Sequence, residues 1–551
     1  MKKQLLFCLV LLPLMAVQAL AQIDIYDSGG PILPEQAAYD VHFYDLSLTI
    51  APNQKYISGQ LRIIAEVVAP MDWFVVNLDT LLSIKQVTEV TASRKARRNV
   101  ERRQGQIWIE LPKERATGST IEVEIQYEGQ PREAPNPPWS GGFTWSNTSA
   151  GFPWIATSCQ QEGPDVWWPA KDHVSDKPDS MALHIRVPVP LVVATNGRFL
   201  SKEEHEDGTT TYHWFVSTPI SAYNVALNIA PYRTIETNFK SIAGDSFPMV
   251  FYVLPEDYQK GLELFPEMQD HLRFFEEYFG PYPFRADKYG VAQTPHLGME
   301  HQTIIAYGAN FSTTSMTGFD AGFDALHHHE LSHEWWGNLV TNSDWKDMWL
   351  HEGFGSYTQP LYVEHLKGKA AYHQYMSRLR RFGNWRAIAP RESQTASEIY
   401  RAPIYFKGAW VLHSLRYLLG DKVFFKALRR MAYPDPKLEK VTDGRQVRFA
   451  TTDDFIATCE TVSQQELDWF FDVYVRQPKL PVLYSKIENG TLSLNWEAPD
   501  HLPFPMPVEV QMGEKRMRVD IPAEGTVLKI PDGVQPVVDP DNWGLYVIGR
   551  E

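Results

Sequence analysis

Cysteine is nearly absent, with three residues in 551, and one of these, Cys8, sits in the N-terminal apolar run. Cys159 and Cys459 lie far apart and make no disulfide framework, so the fold has to rest on buried apolar surface. The expectation is two separate buried thiols. Positive charge is also scarce: 52 Lys and Arg stand against 67 Asp and Glu, a formal net charge of −15. With no basic excess to neutralise phosphates, a nucleic-acid partner is excluded. The one basic cluster, Arg94-Lys95-Ala96-Arg97-Arg98 continuing to Arg102-Arg103, reads as a solvated hairpin or loop between strand-like segments. There is no internal repeat, no low-complexity linker and no segment poor enough in apolar residues to be disordered. After the N-terminus, no apolar stretch is long enough to span a bilayer.

What is present begins with a processing signal. Lys2 and Lys3 precede the apolar run from Leu5 to Val17, and Ala19-Leu20-Ala21 supplies a small-x-small cleavage pattern. The run is short and interrupted by Pro13, which argues against a membrane span. Cleavage after Ala21 is expected to give an exported, soluble chain starting at Gln22, in a periplasm or in the medium.

The length calls for more than one hydrophobic core. From Tyr39 to Arg233 the pattern alternates, as where Ile121, Val123, Ile125 and Tyr127 interleave with Glu122, Glu124 and Gln126. Near Pro255 the period changes. Residues 256–280 have helical spacing up to Gly280-Pro281, and helical patterns recur over 323–341, 347–366, 369–382, 404–419, 422–432 and 452–475. Strands return after Pro478. The reading is an α+β multidomain chain: signal peptide 1–21, N-terminal β saddle or sandwich domain 22–234, mainly α catalytic domain 235–478, and a small C-terminal β-module 479–551.

Within the helical part stands HHHELSHEWWGNLVTNSDWKDMWLHEGF. In His329-Glu330-Leu331-Ser332-His333 the two histidines are four apart, so on a helix their imidazoles face one ion. Glu330 is rotated by about 100° from His329, which suits a base beside the metal better than a ligand. His327 and His328 are out of register and read as surface or packing residues. A catalytic zinc needs a third protein ligand and an open position. Glu352, after eighteen intervening residues from His333, supplies that ligand from the start of a second helical segment.

This arrangement, embedded in HELSHEWWGN and WLHEGF, resembles the gluzincin zinc aminopeptidases, a family that includes aminopeptidase N and the leukotriene hydrolase that is also an aminopeptidase. The resemblance implies a saddle-like β-domain, a thermolysin-like catalytic domain and a small β-module, in a short three-domain form ending at Glu551. It also implies one Zn2+, held by His329, His333 and Glu352, with Glu330 as the base. Leu297-Gly298-Met299-Glu300-His301 matches the family's Gly-x-Met-Glu-Asn strand, which makes Glu300 the partner of a substrate α-ammonium and Gly298 and Met299 part of the substrate site. Leu297 and His301 depart from that pattern. Leu297 is expected to reshape the first specificity pocket, and His301 to add a titratable group near the amine site. Thr157-Ser158-Cys159-Gln160, followed by Pro169-Ala170-Lys171-Asp172, assigns a second amine contact to Gln160. Tyr405-Phe406-Lys407-Gly408 resembles the Tyr-x-Lys-Gly segment, whose tyrosine stabilises the oxyanion, with Tyr400 as its support. The implied activity is release of N-terminal amino acids from peptides with a free N-terminus. A non-catalytic peptide-binding relative, epoxide opening and an endopeptidase are the alternatives on the same scaffold.

Overall fold

The computed structural model describes residues 24–91, 94–380 and 382–549. The expected signal peptide lies outside the described residues.

Period-two segments of the first part become strands. Thr120–Gly129 buries Ile121, Val123, Ile125 and Tyr127 and turns the residues between them outward. It belongs to an eight-stranded sheet. In that sheet Tyr39–Ala51 runs antiparallel to Tyr56–Val67, with Leu46 opposite Leu61, and parallel to Ser180–Pro188, with Leu46 opposite Leu183. A three-stranded sheet and a four-stranded sheet close over the same core, the latter carrying Pro153–Ser158 toward the functional site. The basic cluster takes the hairpin form of the two expected. Arg94–Arg97 pairs with Leu82–Thr91, and Val100–Arg103 pairs with Gln106–Arg115 in another sheet. Its charges are partly structural, since Arg98 donates to buried Glu89 at 2.7 Å and the Arg103 guanidinium lies 4.1 Å from the Trp108 ring centre.

From Arg233 the chain builds a five-stranded mixed sheet whose edge strand is Gly298–Met299, antiparallel to Ile305–Tyr307. Helix α1 (Tyr258–Phe279) buries Phe265, Met268, Leu272, Phe275 and Phe279, a three-to-four spacing that makes one apolar face. It stops at Gly280, at φ 102°, where a Cβ would lie 2.8 Å from the Tyr433 ring. Three further helices position the site: α2 (Ala325–Ser332), α3 (Trp349–Lys367) and α4 (Ala402–Leu419). A Cβ built on Gly353 would come within 2.9 Å of the Gly408 Cα, so glycine on both sides lets α3 and α4 cross in backbone contact.

The helix expected over 323–341 is shorter. It ends at Ser332, turns through Gly337 at φ 148°, and continues into Val340–Asn342, which pairs in parallel with Arg448–Ala450. Every residue from Ser332 to Thr341 is buried, so there was no polar face whose loss could mark the stop. The segment 452–475 is two helices, Thr452–Ser463 and Asp468–Tyr474, parted after Gln464 takes a left-handed conformation. Two small sheets of the C-terminal part enclose a separate core around Leu483, Leu494, Val508 and Val510. Cys159 and Cys459 are both free and buried. Among the described residues, no helix is long and apolar enough to cross a membrane.

Candidate metal centre and substrate cavity

Helix α2 begins at Asp324, whose carboxylate accepts the His327 backbone N–H at 3.0 Å and caps the first turn. His333 lies just past the helix but keeps right-handed dihedrals, φ −71° and ψ −14°, so it stays on the same face as His329. The two Nε2 atoms are 3.3 Å apart, and Glu352 Oε2 lies 3.4 Å from one and 3.6 Å from the other. His333 Nδ1 is paired with the Trp336 carbonyl oxygen at 2.9 Å, which turns Nε2 toward the common point. The other Glu352 oxygen accepts the Tyr400 hydroxyl. Oε2 is buried and accepts no hydrogen bond. A carboxylate oxygen left bare between two imidazole nitrogens is suited to a cation, and two imidazoles, one carboxylate and an open side are the donor set of catalytic zinc. Burial opposes ionisation of Glu352, but His333 and His329 outweigh it and hold its pKa down to about 2. Gly355, one turn after Glu352, is needed for the close approach: a Cβ there would lie 2.7 Å from Ser332 Oγ and 3.2 Å from the His329 ring.

Glu330 lines the cavity next to this triad. Burial, followed by the proximity of Glu300 and Glu352, raises its carboxyl well above the ordinary range. The edge strand runs directly against it. A Cβ on Gly298 would lie 2.6 Å from Glu330 Oε1 and 2.7 Å from Leu326 Cδ1, so the glycine leaves room for the carboxylate. Met299 and Leu297 line the same cavity.

Glu300 and Gln160, distant in sequence and each just past a strand of a different sheet, are brought into contact. The Gln160 amide donates to Glu300 Oε1, the Tyr223 hydroxyl donates to the same oxygen at 3.3 Å, and Tyr400 donates to Gln160 Oε1 at 2.8 Å. Tyr400 thus joins the Glu300–Gln160 pair to Glu352. Sequence reasoning gave Tyr400 only a supporting place and missed Tyr223 altogether, because neither position belongs to a motif. Tyr405 stacks on the His329 ring at 6.3 Å between centres. Burial, then Glu352, push its phenol well above the usual range, which keeps it protonated.

One expectation about a histidine needs correction. His301 adds no titrating group near neutrality: it is fully buried, neither ring nitrogen has a hydrogen-bond partner, and burial, then His296, push its pKa down to about 3. His327 and His328, expected as surface or packing residues, are buried packing residues. His327 Nε2 meets the Tyr289 hydroxyl at 2.6 Å and its Nδ1 meets His271 Nδ1 at 2.8 Å, behind the ligand face of α2.

A strap from the N-terminal side holds two of these parts together. Ser28 N–H donates to the Gln161 carbonyl at 2.9 Å, and the Ser28 carbonyl accepts Ala396 N–H at 2.9 Å, in the segment leading to Tyr400. Asp27 accepts Ser397 N–H at 2.8 Å. Gly29, at φ 91°, lies so close to the Trp345 indole that a Cβ would be 2.0 Å from its Cδ1.

The site opens into a cavity of about 1040 Å³ between the β-domain and the helical part, and all nine residues expected at the site line its wall. Residues 265–474 match the peptidase family M1 domain, and residues 41–224 match the peptidase M1 N-terminal domain. The chain belongs to the M1 peptidase family. Among its relatives, the chain is 24% identical to a leucine aminopeptidase 2 of Sclerotinia sclerotiorum over 65% of this chain and 60% of that protein. It is also 24% identical to a leukotriene A-4 hydrolase homolog of Botryotinia fuckeliana over 65% of this chain and 56% of that protein. It therefore spans about 60% or less of the length of these relatives. The fold is shared with an M1 zinc metallopeptidase from Deinococcus radiodurans, at a TM-score of 0.67 and 23% identity over 83% of this chain and 98% of that one.

Proposed function

We propose that this M1 chain is an exported zinc aminopeptidase that releases single residues from the free N-termini of peptides. The observation that carries the reading is the buried Glu300–Gln160 pair, one hydrogen-bonded link from the metal ligand Glu352 through Tyr400. A carboxylate in that place pairs with an α-ammonium and sets the first peptide carbonyl beside His329, His333 and Glu352. Zinc, when bound there, supplies Lewis acidity for attack of water on that carbonyl. Glu330 takes the proton of the attacking water and returns it to the leaving amine, a role its raised pKa suits. Tyr400 commits its hydroxyl to Glu352 and Gln160, which leaves Tyr405 to donate to the oxyanion. The leader before Gln22 is read as the export signal, and the catalytic unit as residues 235–478 between the two β units.

The deciding experiment is a mass-spectrometric time course on peptides supplied with free and with acetylated N-termini. Stepwise loss of single residues from the free forms alone is expected; internal cleavage of both forms would remove Glu300 from the amine site and make the enzyme an endopeptidase. The pH dependence is a second reading of the same group. Burial raises the Glu300 carboxyl to about 7, and only its ionised form pairs with an ammonium. As pH falls through that value, kcat/KM should fall with it, and Glu300→Gln should lower kcat/KM and leave only the acid limb set by protonation of the base Glu330.

A further inference from the structure

One short turn that follows the β-domain strands, Ala222–Asn224, holds Glu300 at both ends. At the side chain, the Tyr223 hydroxyl donates to Oε1 at 3.3 Å, beside the amide that Gln160 donates to the same oxygen. At the backbone, the Asn224 amide donates to Asn338 Oδ1 at 2.7 Å, and Asn338 Nδ2 donates to the Glu300 carbonyl at 3.0 Å. The Asn338 backbone N–H donates to the His333 carbonyl at 2.8 Å, so one residue ties the Glu300 backbone to the turn that carries His333. Tyr223, Asn224 and Asn338 are all buried. The Tyr223 ring packs on Trp345 at 6.2 Å between centres, and its carbonyl accepts the Cys159 thiol at 3.4 Å. Cys159 is the neighbour of Gln160. The two donors to Oε1 are therefore fixed to each other as well as to the carboxylate.

We propose that Tyr223 is a positioning residue for the substrate's α-ammonium: together with Gln160 it occupies Glu300 Oε1 and so presents Oε2 to the ammonium. This rests on the aminopeptidase reading, in which Glu300 is the amine anchor. Two donors fill the two lone pairs of Oε1, and among the described residues nothing donates to Oε2. The last torsion of a glutamate is broad and two-fold, so a carboxylate without such donors samples many planes. Two donors on one oxygen stop that rotation and leave one oxygen with its accepting capacity unspent. A phenol suits the task because it donates one bond and, being neutral, leaves the carboxylate its full charge for the ligand. Burial, then Glu300, raise the Tyr223 phenol well above its usual range, which keeps it a donor. A basic side chain in its place would neutralise Glu300 and compete with the substrate.

The test is a double-mutant cycle on the p-nitroanilide of X, the residue released fastest in the time course. Tyr223→Phe keeps the ring against Trp345 and removes only the hydroxyl, so bound zinc and the thermal midpoint should stay near wild type. KM should rise roughly tenfold with kcat changed by less than about twofold, the low end for a hydrogen bond to a charged group because 3.3 Å is long. In the Glu300→Gln background the same change should move kcat/KM by less than about twofold, since the charge it serves is gone. A second readout is inhibition by the amino alcohol of X: it should weaken roughly tenfold in Tyr223→Phe, while inhibition by the alcohol lacking the amine should not move. Unchanged KM in Tyr223→Phe, or an equal effect in both backgrounds and on both inhibitors, would overturn the assignment while the aminopeptidase reading stands. Unchanged kcat/KM in Glu300→Gln itself, or no hydrolysis of the anilide by wild type, would overturn that reading, and the assignment with it.

Discussion

Glu330→Gln is expected to lower kcat by roughly 10²- to 10⁴-fold, the contribution of a positioned general base, while bound zinc stays stoichiometric. The argument is geometric. Glu330 is not one of the three groups converging on the metal point, and the amide is the same size as the carboxylate, so it fits under Gly298 where a larger side chain would not. Glutamine cannot accept the proton of the attacking water, and in a buried place next to Glu300 and Glu352 its neutrality carries no folding cost. Zinc content by elemental analysis beside the rate of anilide hydrolysis separates the two effects. Near-wild-type turnover would show that another group takes the proton; loss of zinc would show that Glu330 is a ligand.

The second large effect is on the metal itself. Glu352→Ala should abolish both hydrolysis and retention of zinc through gel filtration. It removes the one anionic ligand and leaves two imidazoles with no third protein donor among the described residues. It also removes one of the two acceptors that share the single Tyr400 proton, so the hydroxyl is free to donate wholly to Gln160. The readout is therefore double: zinc per chain, and KM for a free peptide in any activity that added zinc restores. A variant that keeps one zinc per chain and full turnover would place the third ligand elsewhere.

The legible parts of this molecule are those in which one physical period dominates. The strand Thr120–Gly129 shows in the sequence because one face is dry and the other wet. Helix α1 shows for the same reason at helical spacing. The end of α2 does not, because burial on every side erases the period. The converging triad is written in a spacing, and the contact of Gln160 with Glu300 could be named only through a resemblance, since nothing local joins residues from two sheets. Tyr223 and Gly355 carry no such mark. Their places depend on which helices cross, and crossing is fixed by packing over the whole core rather than by any short segment. His301 shows the opposite failure: the residue type suggested a titrating group, but its burial, which decides the matter, is a property of the fold.

The strap at Ser28 has a consequence for the order in which the enzyme becomes competent. The loop that carries Gln160 and the segment that leads to Tyr400 are separated by 240 positions in the chain, and both are clasped by residues made long before either. This wall of the pocket is thus assembled from three segments far apart in the chain, and it is complete only when all three have docked.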